Sequence, residues 1–269
     1  MLQHTIRKEI SISGVGMHSG KNVRVKFIPA KVGSGITFVR SDLPGRPRIK
    51  ADLMNVSSTV RGTNLGGINT IEHVLSALYA LSVTNLYVEL NSSELPALDG
   101  SSKPYCDLIM KAGIIRQGLK AKCINVIEPV FEMDNGKCLI ALPSDRFIVS
   151  FMINYPIDFI GTQFYKFELN QEKYVSEIAP ARTYGFMDEV ASLKRQGLAF
   201  GASLKNAVAI AKDGYITKLR FRDELVRHKI LDLIGDLSLL GVEIKAHIIA
   251  IRSGHDLNIV FAKKLKEVG

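Results

Sequence analysis

Apolar and polar residues alternate along Ile10–Gly20 (ISISGVGMHSG), Val23–Pro29 and Gly35–Arg40. A period of two predicts half-buried strands, and Gly14, Gly16 and Gly20 punctuate the first turn. The period then changes. Ile71, Val74, Leu75, Leu78 and Leu81 share one stripe, which predicts a helix over 71–81 with Asn69 or Thr70 as its cap. Alternation returns in Asn85–Leu90. The turn Glu94–Ser102 (ELPALDGSS) leads into a helix over 102–112 that Gly113 ends.

A connection near 118–122 opens a second set of predicted strands: Ile124–Met133, Lys137–Pro143, Phe147–Pro156 and Thr162–Leu169. A helical stretch near 189–195 precedes the small-residue segment Gln196–Ala211, which ends in a strand. The strongest helical pattern covers 223–240. A strand over 243–252 and a helix over 256–267 close the chain. The halves echo one another: Glu72–Leu90 and Arg227–Ile251 are each a helix with a histidine near its start, passing into a strand. Runs of strands with few helices predict an α+β fold of two similar domains, 1–119 and 120–269.

Composition narrows the classes. At 269 residues, 46% hydrophobic and 23% charged, the chain can bury a sizeable core. Its charge of +9 favours anionic partners. The basic residues are dispersed, without the aromatic interleaving of an RNA-binding sheet, so nucleic acid is not expected as a partner. Cys106, Cys123 and Cys138 are isolated, which argues against a disulfide framework or a cysteine zinc module. The N-terminus has no apolar signal core and no run reaches membrane-span length, so a cytoplasmic protein without a transmembrane segment is expected.

Three groups of residues can carry chemistry. His228, Asp232 and Asp236 recur at four-residue spacing and share a helix face, where an imidazole and a carboxylate can hold one metal ion. The bland alternative is a solvated polar face. Glu72 precedes His73, and consecutive helix positions diverge by about 100°. A metal on His73 therefore leaves Glu72 beside it, where a carboxylate can take a proton from water. Alone, the pair reads equally as an acid at a helix start and a half-buried ring. His255 follows a flexible Ser253-Gly254 turn, as a general acid, an electrostatic stabiliser or a surface residue. Together, His73, His228 and Asp232 supply the three N/O ligands of a catalytic zinc site. By spacing, Asp236 could support a ligand imidazole. Thr183 could aim a hydroxyl at a substrate oxygen. His18 reads as part of a tight hairpin, and Glu94, Asp99 and Ser101 as turn and cap residues.

Six segments in order resemble one family: Gly14–Gly20, Thr70–Leu78, Glu94–Ser102, Ala181–Phe186, Leu225–Leu237 and Ser253–Asn258. The chain is similar to UDP-3-O-acyl-N-acetylglucosamine deacetylases, the zinc enzymes of the committed step of lipid A biosynthesis in Gram-negative bacteria. The resemblance implies two domains of like plan, each a sheet with two main helices, the helices packed between the sheets. It implies hydrolysis of the acetamide of a UDP-acyl-amino-sugar; nothing in the sequence demands a dimer, so a monomer is expected. The resemblance assigns one zinc ion to His73, His228 and Asp232, and the general base to Glu72; by its donor chemistry a His/His/Asp site also accepts Fe2+. His255 becomes the acid or oxyanion stabiliser, with Asp236 as its support in place of a ligand imidazole. Thr183 would help hold the oxyanion, Lys229 would reach a phosphate or sugar oxygen, and Phe186 would lie near the nucleotide. An acyl passage would run through Val190, Leu193, Ala199, Gly201, Ala202, Ser203 and Ala207, and Met17 and Leu65 would sit near the site entrance. Tyr184 and Asp256 depart from the family's usual residues. Two other classes compete: a nucleotide-sugar or acyl-chain binding module without catalysis, and a zinc peptidase, disfavoured because H-E-x-x-H is absent.

Overall fold

The structure, a computed structural model, describes residues 1–268. The first half contains strands Leu2–Ile6 (β1), Ile10–Val15 (β2), Asn22–Pro29 (β3), Ile36–Arg40 (β4) and Arg48–Lys50 (β5), then short strands Val56–Ser58 (β6) and Asn64–Leu65 (β7). Helix Glu72–Ala80 (α1), strand Leu86–Leu90 (β8) and helix Lys103–Ala112 (α2) follow, and Ile114–Lys120 (β9) pairs back onto β1. The second half has Cys123–Asn125 (β10), Val130–Asp134 (β11), Lys137–Leu142 (β12), Phe147–Asn154 (β13) and Thr162–Glu168 (β14). Gln171–Lys173 (α3) runs into a π-helical turn at Tyr174–Ile178. Tyr184–Phe186 (β15), Val190–Arg195 (α4) and Val208–Ile210 (β16) form an insertion. Glu224–Leu237 (α5), Glu243–Ile251 (β17) and His255–Val268 (α6) complete the chain.

The echo in the sequence is an echo in topology. One sheet has the order β2-β3-β8-β4-β5 and the other β11-β12-β17-β13-β14. In both, the strand that follows the long helix inserts at the centre, parallel to one neighbour and antiparallel to the other. The fold is α+β. The inner faces contribute Val25, Phe27 and Val88 from one sheet and Val149, Phe151 and Ile248 from the other to a single buried core. That core passes through Val74 and Leu78 of α1 and Ile230 and Leu233 of α5, which pack on each other between the sheets.

This layering explains why α5 has no solvated face. His228, Asp232 and Asp236 are as buried as Ile230 and Leu233 on the other side. Gly235 makes the α1–α5 approach possible: a Cβ there would lie 2.2 Å from the Glu72 carbonyl oxygen. A second link joins α1 to the second sheet, where the Ile244 N–H donates to the Tyr79 hydroxyl at 3.0 Å.

Several local expectations change. The 118–122 connection is largely the end of β9, because β1 supplies a partner more than a hundred residues away. The strand expected over 124–133 is two strands, and Pro129, which has no N–H to donate, lies between them. Neither Asn69 nor Thr70 caps α1. Ile71 occupies the cap position, Thr70 adopts φ +57°, and the Ile71 N–H donates to the Thr63 carbonyl. The three cysteines are free, and among the described residues no helix is long and apolar enough to cross a membrane.

Candidate active site

The start of α1 carries Glu72 and His73, and the Gly235 contact sets them against α5 one turn beyond Asp232. As a result one nitrogen of His73, one of His228 and one carboxylate oxygen of Asp232 lie within 4.8 Å of one another. His228 Nε2 is 3.3 Å and His73 Nε2 3.8 Å from Asp232 Oδ1. The two rings meet edge to face, with centroids 5.0 Å apart. His228 donates its Nδ1–H to the Ala181 carbonyl at 3.1 Å, so its Nε2 presents a lone pair to the cluster.

Charge in the cluster follows from burial and neighbours. Burial, reinforced by His228, pushes His73 down to about 3, so it is a neutral ligand-competent imidazole. Burial likewise lowers His228. Burial opposes ionisation of Asp232, but His228, Lys229, His255 and His73 override it and hold it a carboxylate. Lys229 donates to Asp232 Oδ2 at 2.9 Å, while Oδ1 is buried without any hydrogen-bond partner. A buried carboxylate oxygen with no donor is costly. A cation shared with the two Nε2 atoms is what this donor set fits.

Two titratable groups stand beside the cluster, Glu72 and His255. Glu72 accepts from the Thr63 N–H at 3.0 Å, and burial raises its pKa to about 7. His255 donates Nδ1–H to Asp236 Oδ2 at 2.8 Å, and its Nε2 stands 4.0 Å from Asp232 Oδ2. Burial disfavours its cation, but Asp236 first, then Asp232 and Glu72, outweigh this and push it up to about 9. Asp236 also accepts from Thr63 Oγ1 at 2.5 Å and Asn258 Nδ2 at 2.8 Å. It hydrogen-bonds neither His73 nor His228, so the spacing argument placed it with the wrong imidazole. Asp256, next in sequence to His255, pairs with Lys137 at 2.9 Å.

Glu72 and His73 open onto a cavity of about 410 Å³. Its lining includes Met17, Thr183, Phe186, Val190, Leu193, Ala199, Ala202, Ser203 and Ala207. Leu65 does not reach it. Leu65 is wholly buried in the core, where β7 pairs with β6. Lys229 does not project freely, since its ammonium rests on Asp232 and 5.5 Å from the Tyr184 ring centre. His18 is more than a hairpin residue. It lines the cavity, with Nε2 3.2 Å from the Arg61 carbonyl, and accepts the Ala199 N–H on Nδ1 at 3.4 Å.

The segment bearing Thr183 is held by a buried pair absent from the sequence reading. Arg182 Nε donates to Glu224 Oε1 at 2.8 Å, and the Arg182 N–H donates to the same oxygen at 3.0 Å. This fixes Ala181 against His228 and Thr183 beside the cavity. Thr63 and Asn258 were missed as well. Asn258 had a signal, lying one turn beyond His255 on α6, whereas Thr63 meets Asp236 across 173 positions.

Comparison with known proteins accords with this geometry. The family model described as UDP-3-O-acyl N-acetylglycosamine deacetylase (LpxC) matches residues 3–267. A UDP-3-O-acyl-N-acetylglucosamine deacetylase from Chlamydia abortus is 42% identical over 99% of this chain and 97% of its own length. One from Thermodesulfovibrio yellowstonii is 40% identical over 99% of this chain and 92% of its own. One from Trichormus variabilis is 39% identical over 98% of both. The chain belongs to the UDP-3-O-acyl-N-acetylglucosamine deacetylase family.

Proposed function

We propose that this chain hydrolyses the N-acetyl group of UDP-3-O-acyl-N-acetylglucosamine, giving UDP-3-O-acyl-glucosamine and acetate for lipid A biosynthesis. The observation that carries the reading is one cavity joining Glu72, His73 and Thr183 to the apolar residues Val190, Leu193 and Ala207. An acylated amino sugar needs both: proton-handling groups for its amide and apolar walls for its chain.

His73, His228 and Asp232 would hold one divalent ion, for which zinc is the first choice and Fe2+ the second. When bound, such an ion supplies Lewis acidity towards the amide carbonyl and towards water. Glu72, near 7, takes the proton of the attacking water. His255, protonated at neutral pH, gives a proton from Nε2 to the departing amine while Asp236 holds Nδ1–H. Thr183 offers its hydroxyl to the developing oxyanion. Lys229 keeps Asp232 Oδ2 occupied, so Oδ1 faces the two imidazoles. Phe186 and Met17 bound the cavity beside the sugar nucleotide, and the stretch 190–207 takes the acyl chain.

The test is acetate release from UDP-3-O-acyl-N-acetylglucosamine by purified protein, before and after metal stripping, with one equivalent of zinc returned. Activity lost on stripping and regained with zinc is expected. Folded, zinc-loaded protein that binds the substrate without turnover would point to a binding module.

A further inference from the structure

The turn Arg61–Gly62–Thr63 lies in none of the six family-like segments, yet it touches both proton-handling arms. Thr63 is fully buried. Its peptide N–H donates to Glu72 Oε2 at 3.0 Å. Its hydroxyl donates to Asp236 Oδ1 at 2.5 Å, with Oγ1 3.3 Å from His255 Nδ1. The other Asp236 oxygen receives His255 and Asn258. We propose that Thr63 is a positioning residue of the reaction, fixing the Glu72 carboxylate through its peptide N–H and the Asp236–His255 pair through its hydroxyl.

Asp236 is wholly buried, and each of its oxygens needs a donor. Thr63 is the only hydrogen-bond donor to Oδ1 among the described residues. Without that hydroxyl the carboxylate turns towards another donor, and the ring bonded to Oδ2 turns with it. Displacements of about 1 Å in a reacting group cost on the order of 100-fold in rate. Gly62 belongs to the same device. It sits at φ +149°, and a Cβ there would lie 3.0 Å from Glu72 Oε1. The turn thus grips Oε2 and keeps side-chain bulk away from Oε1.

The inference rests on the deacetylase reading, so its test carries a readout independent of turnover. Thr63→Val removes the hydroxyl but keeps shape and peptide N–H, whereas Thr63→Ser keeps the hydroxyl. In the zinc-loaded enzyme, Thr63→Val is expected to lower kcat about 10- to 100-fold with KM little changed, and Thr63→Ser to restore it to within about threefold. A Thr63→Val variant within about twofold of wild-type kcat overturns the proposal, as does a Ser variant as slow as Val. Should Val fail to fold, Thr63→Ala read against Ser makes the same comparison. Proton NMR of the His255 Nδ1–H supplies the second readout. Its low-field signal is expected in wild type and Ser, and shifted or lost in Val. An unchanged signal in Val overturns the proposal even if wild type releases no acetate, an outcome that would separately refute the deacetylase reading.

Discussion

The opposite parts proposed for Glu72 and His255 follow from burial at the first and from neighbouring carboxylates that outweigh burial at the second. Burial raises Glu72 towards neutrality, while three carboxylates hold the His255 cation against it. Two expectations belong to these residues. Glu72→Gln keeps the three proposed metal donors and removes the proposed base, so the variant should retain stoichiometric zinc by elemental analysis. Its kcat should fall about 100- to 10,000-fold. Near wild-type kcat would end the assignment of Glu72. Asp236→Asn removes the first of the charges that raise His255, so the pKa of His255 must fall. Its proton is then lost at lower pH, and the alkaline limb of the kcat profile should move down. An unmoved limb would mean that another group sets it.

At the scale of elements, the decisive contact is between the start of α1 and the middle of α5. A methyl group at Gly235 would meet the Glu72 carbonyl oxygen at 2.2 Å, too close for any real contact. Gly235→Ala must therefore push the helices apart and separate His73 from His228 and Asp232. It should lower both the unfolding midpoint and zinc affinity, measured by denaturant titration and competition with a chelating dye. Unchanged zinc affinity would show that the cluster tolerates the shift. This contact also marks where the sequence stops being legible. The stripes of α1 and α5, the alternation of β17 and the four-residue spacing of His228, Asp232 and Asp236 all follow from local periodicity. The pairing of β1 with β9, the Arg182–Glu224 pair and the reach of Thr63 to Asp236 do not, because each joins residues far apart in the chain by a geometry that no period encodes. Leu65 shows the same limit from the other side. A residue near the site in sequence lies in the core because β7 turns its side chain inward.

At the scale of the molecule, two sheets of one topology bury a paired helix layer, and the insertion 184–210 adds the apolar cavity to it. If the cavity holds the acyl chain, its volume of about 410 Å³ sets a length limit and its small residues set the bore. Ala207 lies among the lining residues with Ala199, Ala202 and Ser203 and is none of the proposed metal or proton-handling groups. Ala207→Phe should fill the bore without touching the chemistry. Excluding about two methylenes from burial costs about 1.6 kcal/mol, roughly a fifteenfold rise in KM. The rise should appear with long-chain substrates and vanish once the chain is too short to reach position 207, while kcat stays level throughout. KM measured across a series of acyl lengths checks this. A uniform rise at every length would place the acyl chain elsewhere and make this cavity a site for the sugar nucleotide alone.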